Sequence, residues 1–418
     1  MRKVLLFSAL LILGLAGSQV LPGLLGPAHG GFSSVVTFLT MTGLAFIMIH
    51  VGYEFELDRG RLASYGWDYV VAMTTAGLPW LLAALYFVFV MLPATSRTSW
   101  DVWKEVLIVG RFAAPTATGV LFAMLAAAGL SASWMFRKTR VLVIFDDLDT
   151  VLLMVPLKVM LVGLAWQLGV VVALMAVMLW VAWRWLHRVR IPVRWPWVMG
   201  YAVLIAGVSE LVYFATSVID HRVPIHLEVL LPAFVLGCVM QRPAGHDPHA
   251  DDAREGHQEG PESPAEQRAS TVVSAVFMVL VGLSMPLFGG SAGAAEGSAL
   301  AAAGEALPGG WGAIAIHVLL LTVVINLGKM VPAVCYRQEA HWRERLAVAV
   351  AMCPRGEVGA GIILLSLDYG IAGPVVTVAV LSLALNLLLT PAFLVAVAGL
   401  LRGVPQEAPD RMAGVEPA

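Results

Sequence analysis

Three carboxylates lie close together inside a strongly apolar segment. Asp146, Asp147 and Asp149 follow the run VLVIF. Helical spacing puts Asp146, Asp149 and Thr150 along one face. Asp147 points about 100° away from that face. Adjacent carboxylates in a poorly solvated pocket repel each other and lose hydration, and both effects favour a bound proton. Hard cations also prefer oxygen ligands, so one pocket could hold either protons or a metal ion.

Further charges lie where apolar segments should exclude them. Lys329 is central in the run VINLGKMVP and needs a buried anionic partner, for which Asp146 and Asp147 are the candidates. The other charges in question are Arg111, Arg355 and Glu357. We expect these three to be structural, either pairing with one another or offsetting the dipoles of half-helices. For the three carboxylates Asp146, Asp147 and Asp149, the alternative is a buried structural ion-pair network.

Two apolar segments carry matching interruptions. Segment 105–130 contains APTATG at 114–119, and segment 344–367 contains CPRGEVG at 353–359. Proline removes a backbone donor and glycine loosens a helix. At membrane depth this is tolerated only where the freed groups face protein or a watery cavity. The alternative is that both interruptions are kinks without a function. They occur at corresponding positions of the two sets of spans, however, which favours a binding site that both interruptions form together.

The elements that must position these residues are transmembrane helices. The chain has 418 residues, of which 59% are hydrophobic and 13% charged, whereas soluble domains carry about 25% charged residues. Runs of about 20 apolar residues, the length of one span, occur about twelve times. These runs lie near 4–24, 34–53, 68–92, 105–130, 140–163, 168–186, 196–218, 225–241, 270–289, 312–335, 344–367 and 372–400. The sequence therefore predicts an all-α polytopic membrane protein in a lipid bilayer.

Charge placement predicts the orientation of the chain. The net charge of -2 offers no basic surface for nucleic acid. With the N-terminus inside, most of the 26 Lys and Arg residues fall on the cytoplasmic side, and the opposite side holds only Arg97, Lys104 and Arg222. We expect both termini in the cytoplasm and the protein in the inner membrane. Residues 1–24 could be a signal peptide, but the long apolar run favours a retained span.

Two polar or low-complexity segments divide the chain. We predict a first membrane half at 1–241, a disordered cytoplasmic linker at 242–269, a second membrane half at 270–402 and a short cytoplasmic tail at 403–418. Histidines and acids in the linker could bind a metal, but solvation is the simpler interpretation. The third to fifth spans enter the membrane opposite to the tenth to twelfth. An inverted repeat, common in secondary transporters, is thus permitted.

Several motifs together resemble the cation/proton antiporters, which include the sodium/proton exchangers. The segments that carry the resemblance are FIMIHVGYEF at 46–55, DDL at 146–148, GLS at 282–284, GK at 328–329 and PRGEV at 354–358. It implies an inverted-repeat fold with two crossed, broken helices, a core domain and a dimerisation domain. It also implies a homodimer that works by elevator-like alternating access. The partners would be a monovalent cation and protons.

The resemblance also implies roles for single residues. Asp147 would carry the cation or a proton, and Asp146 would pair with Lys329 when no cation is bound. The aspartate pair with a lysine resembles the electrogenic class, which exchanges two protons per sodium ion. This chain has AAP at 113–115 where the family has TSP, which removes two hydroxyls, but Thr116 and Thr118 remain as candidate cation-binding residues.

Asp149 is an additional acid in a place where relatives usually have a small residue. We therefore count it among the candidate ligands and leave the identity of the cation open among Na⁺, Li⁺ and K⁺. The resemblance implies a transporter rather than an enzyme, with no cofactor and no metal other than the transported cation. The alternatives are a K⁺/H⁺ antiporter, a sensor on the same fold, a bile-acid-type sodium symporter and an intramembrane aspartyl hydrolase. The hydrolase is disfavoured because its acids normally converge from two elements.

Overall fold

The computed structural model describes residues 2–53, 55, 62–130, 133–162, 166–219, 229–241, 264–285, 300 and 310–402. These residues form fifteen α-helices and no strand. The tail predicted at 403–418 and most of the predicted linker lie outside the described residues. The helix that follows begins at Pro264, so residues 264–269 belong to a helix rather than to the linker. Proline suits a first helical position because its missing N–H has no partner there.

The first ten helices lie between residues 2 and 283. They are α1 (Arg2–Leu25), α2 (His29–Tyr53), α3 (Leu62–Tyr86), α4 (Trp100–Gly110), α5 (Thr118–Ala127), α6 (Trp134–Val162), α7 (Trp166–Arg184), α8 (Trp195–Ile219), α9 (Leu230–Val239) and α10 (Pro264–Leu283).

Five helices follow in the remainder of the chain. They are α11 (Gly310–Gly328), α12 (Pro332–Cys335), α13 (Trp342–Ala351), α14 (Glu357–Asp368) and α15 (Pro374–Leu401).

Six helical stretches within the described ranges are long and apolar enough to cross a membrane. They are Leu5–Tyr53, Ser64–Met91, Trp100–Ala127, Trp195–Val218, Gly310–Cys335 and Pro374–Leu401. The first is 49 residues long and contains both α1 and α2, and shorter apolar helices include α9 and α14. The chain is therefore a helical membrane protein, as the sequence predicts.

The helices pack in two groups. In the first helix group, α1 packs on α10, α2 on α8, α9 and α10, and α7 on α9. In the second helix group, α3 contacts α4, α6 and α11, while α13 contacts α6 and α15. Helix α14 contacts α4 and α15 and so belongs to the second group, and contacts between the groups include those of α1 with α15 and of α6 with α9.

Glycines allow the closest approach within the first helix group. A Cβ added at Gly14 of α1 would meet the carbonyl of Val279 in α10, and one at Gly282 of α10 would meet the carbonyl of Leu11. The two backbones are thus in direct contact. This gives the GLS motif at 282–284 a packing role.

The second helix group is tied together by a buried ionic cluster away from the central acids. Lys138 of α6 lies 2.9 Å from Asp68 of α3 and 2.8 Å from Glu339, which precedes α13. Tyr336 donates a hydrogen bond of 2.8 Å to the same Asp68 carboxylate. The Lys138 ammonium also lies 4.3 Å from the centre of the Tyr336 ring. Because each charge has a partner, the cost of burying them is offset and three elements are held in register.

The span predicted at 312–335 differs from the expected continuous helix. Helix α11 ends at Gly328, and Lys329 lies in a tight turn whose amide donates to Asn326 O at 3.1 Å. The reason is Pro332, which lacks an N–H and whose ring crowds the carbonyl four residues earlier. Lys329 therefore extends from an interruption and not from a regular helix.

Candidate functional site

Both interruptions predicted from the sequence are present, and they meet. Helix α4 passes through a 3-10 turn at Arg111–Ala113 and the chain then runs unwound to α5. Helix α13 ends at Ala351, and the chain stays unwound until α14. The amide of Ala117 in the first gap donates a 2.8 Å hydrogen bond to the carbonyl of Pro354 in the second. Backbone groups freed by one break are thus partly satisfied by the other.

Asp146 is enclosed at this meeting point. Its Oδ2 accepts hydrogen bonds from the Thr116 amide at 2.9 Å and from the Thr116 hydroxyl at 2.7 Å. The Lys329 ammonium lies 3.2 Å from the same oxygen and donates to the Thr116 hydroxyl at 3.1 Å. Asp146 and Lys329 are both 0% exposed. The predicted contact between them is present as a fully buried ion pair.

Asp147 faces a different environment. The Thr118 hydroxyl donates to its Oδ2 at 2.9 Å, and the residue is 9% exposed. It lines a small cavity whose other walls are mostly apolar, including Met48 of α2, Phe234 of α9 and Val358 of α14. The cavity therefore lies between the two helix groups. Of the two adjacent acids, one is closed off by a lysine and the other lies at the edge of a cavity.

Arg355 holds the ends of the broken helices. Its guanidinium donates to the carbonyls of Ala113 at 2.8 Å, of Cys353 at 3.1 Å and of Ile325 at 3.1 Å. Carbonyls at helix C-termini lack intrahelical partners and carry partial negative charge. Two roles were expected for Arg355, namely pairing with another charge or offsetting the dipoles of half-helices. Its hydrogen bonds to these carbonyls match the second role. The side chain of Glu357 lies outside the described part of the structure.

Two asparagines that were not among the residues predicted from the sequence also contact Arg355. Asn326 Oδ1 accepts a 2.6 Å hydrogen bond from Arg355, and Asn386 Oδ1 accepts one at 3.2 Å. Asn326 also donates to Asn386 at 2.9 Å, and Asn386 donates to Ser382 O. Burying an amide in a span is costly unless it is bonded, so isolated asparagines in apolar runs were an available signal.

Asp149 and Arg111 lie on another side of α6. The Tyr69 hydroxyl donates to Asp149 Oδ1 at 2.9 Å, and Arg111 donates to the Asp149 backbone carbonyl at 2.9 Å. Arg111 lies 5.0 Å from the centre of the Trp80 ring. The structure thus separates Asp149 from the cavity beside Asp147 and puts it among groups of α3 and α4.

No group of three or more His, Cys, Asp or Glu residues converges as a resident metal site within the described ranges. The cysteines there, Cys238, Cys335 and Cys353, are all free. The chemistry available at the centre is that of carboxylates, hydroxyls and an ammonium group. These groups can exchange protons and coordinate a hard cation with oxygen ligands.

The chain is similar to known proteins in sequence family and in fold. The family model described as "Sodium/hydrogen exchanger, transmembrane" matches residues 3–398. Among solved structures, the sodium proton antiporter MjNhaP1 from Methanocaldococcus jannaschii at pH 8 is similar, with a TM-score of 0.52 and 15% sequence identity. The similarity covers 94% of this chain and 91% of that one, and at this identity it shows a common fold. A search of curated proteins found no match.

The family model extends over almost the whole chain, including both interruptions, the paired aspartates and Lys329. The chain therefore belongs to the sodium/hydrogen exchanger family.

Proposed function

We propose that this protein is a secondary antiporter that exchanges protons for Na⁺, with Li⁺ and K⁺ as the competing candidates. The observation that carries the proposal is the unequal environment of the two aspartates. Asp147 borders a cavity, whereas Asp146 is sealed by Lys329 and Thr116. A site shared by protons and a cation needs one acid that ions can reach, here Asp147. It also needs a second acid that can join the coordination later, here Asp146.

The proposed cycle begins with a proton on Asp147 and with Asp146 paired to Lys329. An arriving cation displaces the proton from Asp147 and draws Asp146 into its coordination. The Thr118 hydroxyl, 2.9 Å from Asp147, is positioned to add a neutral oxygen ligand. Lys329 then loses its counter-charge while it is still fully buried, and this burial favours release of its proton. Two protons leave for each cation, so one net charge moves.

Alternating access would come from movement between the two helix groups. The cavity beside Asp147 is bounded by α2, α7 and α9 on one side and by α6 and α14 on the other. We propose that the second helix group slides as an elevator and that the first provides the dimer contact of a homodimer. The inverted repeat, the inner-membrane location and the cytoplasmic termini belong to the same proposal.

The test is proton flux in proteoliposomes that contain the purified protein and a pH-sensitive dye. Addition of Na⁺, Li⁺ or K⁺ to the outside should move protons in the opposite direction, and the cation with the lowest half-maximal concentration is the substrate. Preference for K⁺ would assign K⁺/H⁺ exchange. Cation binding without any flux would identify a sensor and contradict antiport.

A further inference from the structure

The role of Asp149 can be inferred from what surrounds it. The residue is 1% exposed and does not line the cavity next to Asp147. One carboxylate oxygen accepts the Tyr69 hydroxyl, while the other, Oδ2, has no hydrogen-bond partner. A cation bound at Asp147 would therefore not be reached by this carboxylate in the observed arrangement.

Arg111 is the charge that matches Asp149. Its side chain is 0% exposed, and its Nε and Nη1 have no hydrogen-bond partner. The guanidinium interacts electrostatically with Asp146 and Asp149, and it donates to the Asp149 carbonyl. Stacking over Trp80 fixes the plane of the group. A buried guanidinium with two unused donors needs a counter-charge close by.

Two other buried cations of the core, Lys329 and Arg355, already have partners. Lys329 pairs with Asp146, and Arg355 is held by carbonyl and amide oxygens at the helix ends. Asp146 is paired with Lys329 and Asp147 lies at the cavity with Thr118, so Asp149 is the acid that we assign to Arg111, which already donates to its backbone carbonyl.

We propose that Asp149 is the counter-charge of Arg111 and thereby sets the cation affinity of the Asp147 pocket without being a cation ligand. The inference rests on the proposed function and assigns Asp149 and Arg111 as affinity-determining residues. Without Asp149, the positive field of Arg111 would reach the pocket uncompensated and repel the incoming cation. One unit charge about 10 Å away, at an effective dielectric constant near 20, changes affinity about tenfold.

The two single variants should act in opposite directions. Asp149→Asn should weaken cation binding about tenfold, because Arg111 is then unopposed. Arg111→Met keeps the length and the packing on Trp80 but removes the charge. It should tighten binding, since Asp149 then adds an unopposed negative charge near the pocket. The double variant should restore an affinity close to that of the wild type, because it removes both the positive and the negative charge.

The readout is cation binding to purified protein in detergent, measured by isothermal titration calorimetry with NaCl and LiCl at alkaline pH. Alkaline conditions reduce competition from protons. Tyr69→Phe is the matched control, because it removes the hydrogen bond to Asp149 and keeps both charges. It should bind cations with nearly unchanged affinity.

A double variant as weak as Asp149→Asn, or weaker, would overturn the proposal, because Asp149 would then be a direct ligand. Unchanged affinity in Asp149→Asn would overturn it as well. If Asp149→Asn does not fold, the sign of the Arg111→Met effect decides, and weaker binding in that variant contradicts the inference. Binding is measured separately from transport. Restored affinity in the double variant would therefore support the role of Asp149 even if the wild type binds cations without moving protons, a result that would contradict the proposed antiport.

Discussion

Replacement of Lys329 by glutamine removes the buried cation of the central pair while keeping a polar side chain. Lys329 and Asp146 are both 0% exposed, and their charged atoms are 3.2 Å apart. Removal of one partner from a buried pair costs about 3–5 kcal/mol. Asp146 would keep its two hydrogen bonds from Thr116, so we expect the lower end, about 3 kcal/mol.

Thermal unfolding in detergent measures this loss. Lys104→Gln is the matched control, because Lys104 forms a pair with Asp101 in which the aspartate side chain is 73% exposed. Such surface pairs contribute about 0–1 kcal/mol, so this variant should unfold near the wild-type temperature.

The same substitution should change the response to voltage. With two protons per cation, one net charge crosses the membrane, and a potential of 100 mV acts on it with about 2.3 kcal/mol. This corresponds to a shift of about fifty-fold in the cation ratio at equilibrium. In Lys329→Gln one proton leaves the cycle, the exchange becomes one for one, and the shift should vanish.

The assay is exchange in proteoliposomes with a potassium-diffusion potential set by valinomycin. A control without valinomycin keeps the K⁺ gradient but sets no diffusion potential, so it shows whether the protein itself transports K⁺. Wild-type exchange that ignores the potential refutes the electrogenic mechanism. Full voltage response and full stability in Lys329→Gln refute the coupling role of the lysine.

Three further predictions follow from the same geometry. Asp147→Asn should abolish cation binding and cation-driven proton release while the protein remains folded, and near-normal exchange in liposomes would contradict the assignment. Apparent cation affinity should weaken as pH falls from about 8.5 to about 5.5, because protons and cations share one pocket; an affinity constant over this range contradicts a shared pocket. Gly14→Ala should lower the unfolding temperature, at a cost of about 1–3 kcal/mol for overpacking against Val279. Gly23→Ala is the control, because the added Cβ would lie in open space, and it should not lower the unfolding temperature. Equal stability of the two variants would rule out the close packing of α1 on α10.

The positions of the helices could be predicted because long apolar runs are strong local signals. The span predicted at 140–163 appears as Trp134–Val162, and the one at 372–400 as Pro374–Leu401. The interruptions could also be predicted, since proline and glycine act on the backbone locally. The turn at Lys329 was missed because the apolar run continues through it to Cys335.

The contacts of the site were harder to predict. The need for a counter-charge predicted that Lys329 would pair with Asp146 or Asp147, a rule that requires no knowledge of geometry, and the resemblance to the antiporters indicated Asp146. The side chain of Asp149 is held by a hydrogen bond from Tyr69, which lies 80 positions earlier in the chain. A periodic sequence pattern does not predict a contact over that separation. The two asparagines that bind Arg355 are single polar residues in separate spans, so only the structure reveals that they meet.

The most direct test of the account is the number of protons released when one cation binds. Calorimetric titration of the purified protein in two buffers of different ionisation enthalpy gives this number without any membrane. At a pH where the empty site is protonated, the account predicts release of more than one proton per cation by the wild type and none by Asp147→Asn, which no longer binds the cation. A binding enthalpy that is the same in both buffers would mean that no proton is released, and would contradict a pocket shared by protons and cations.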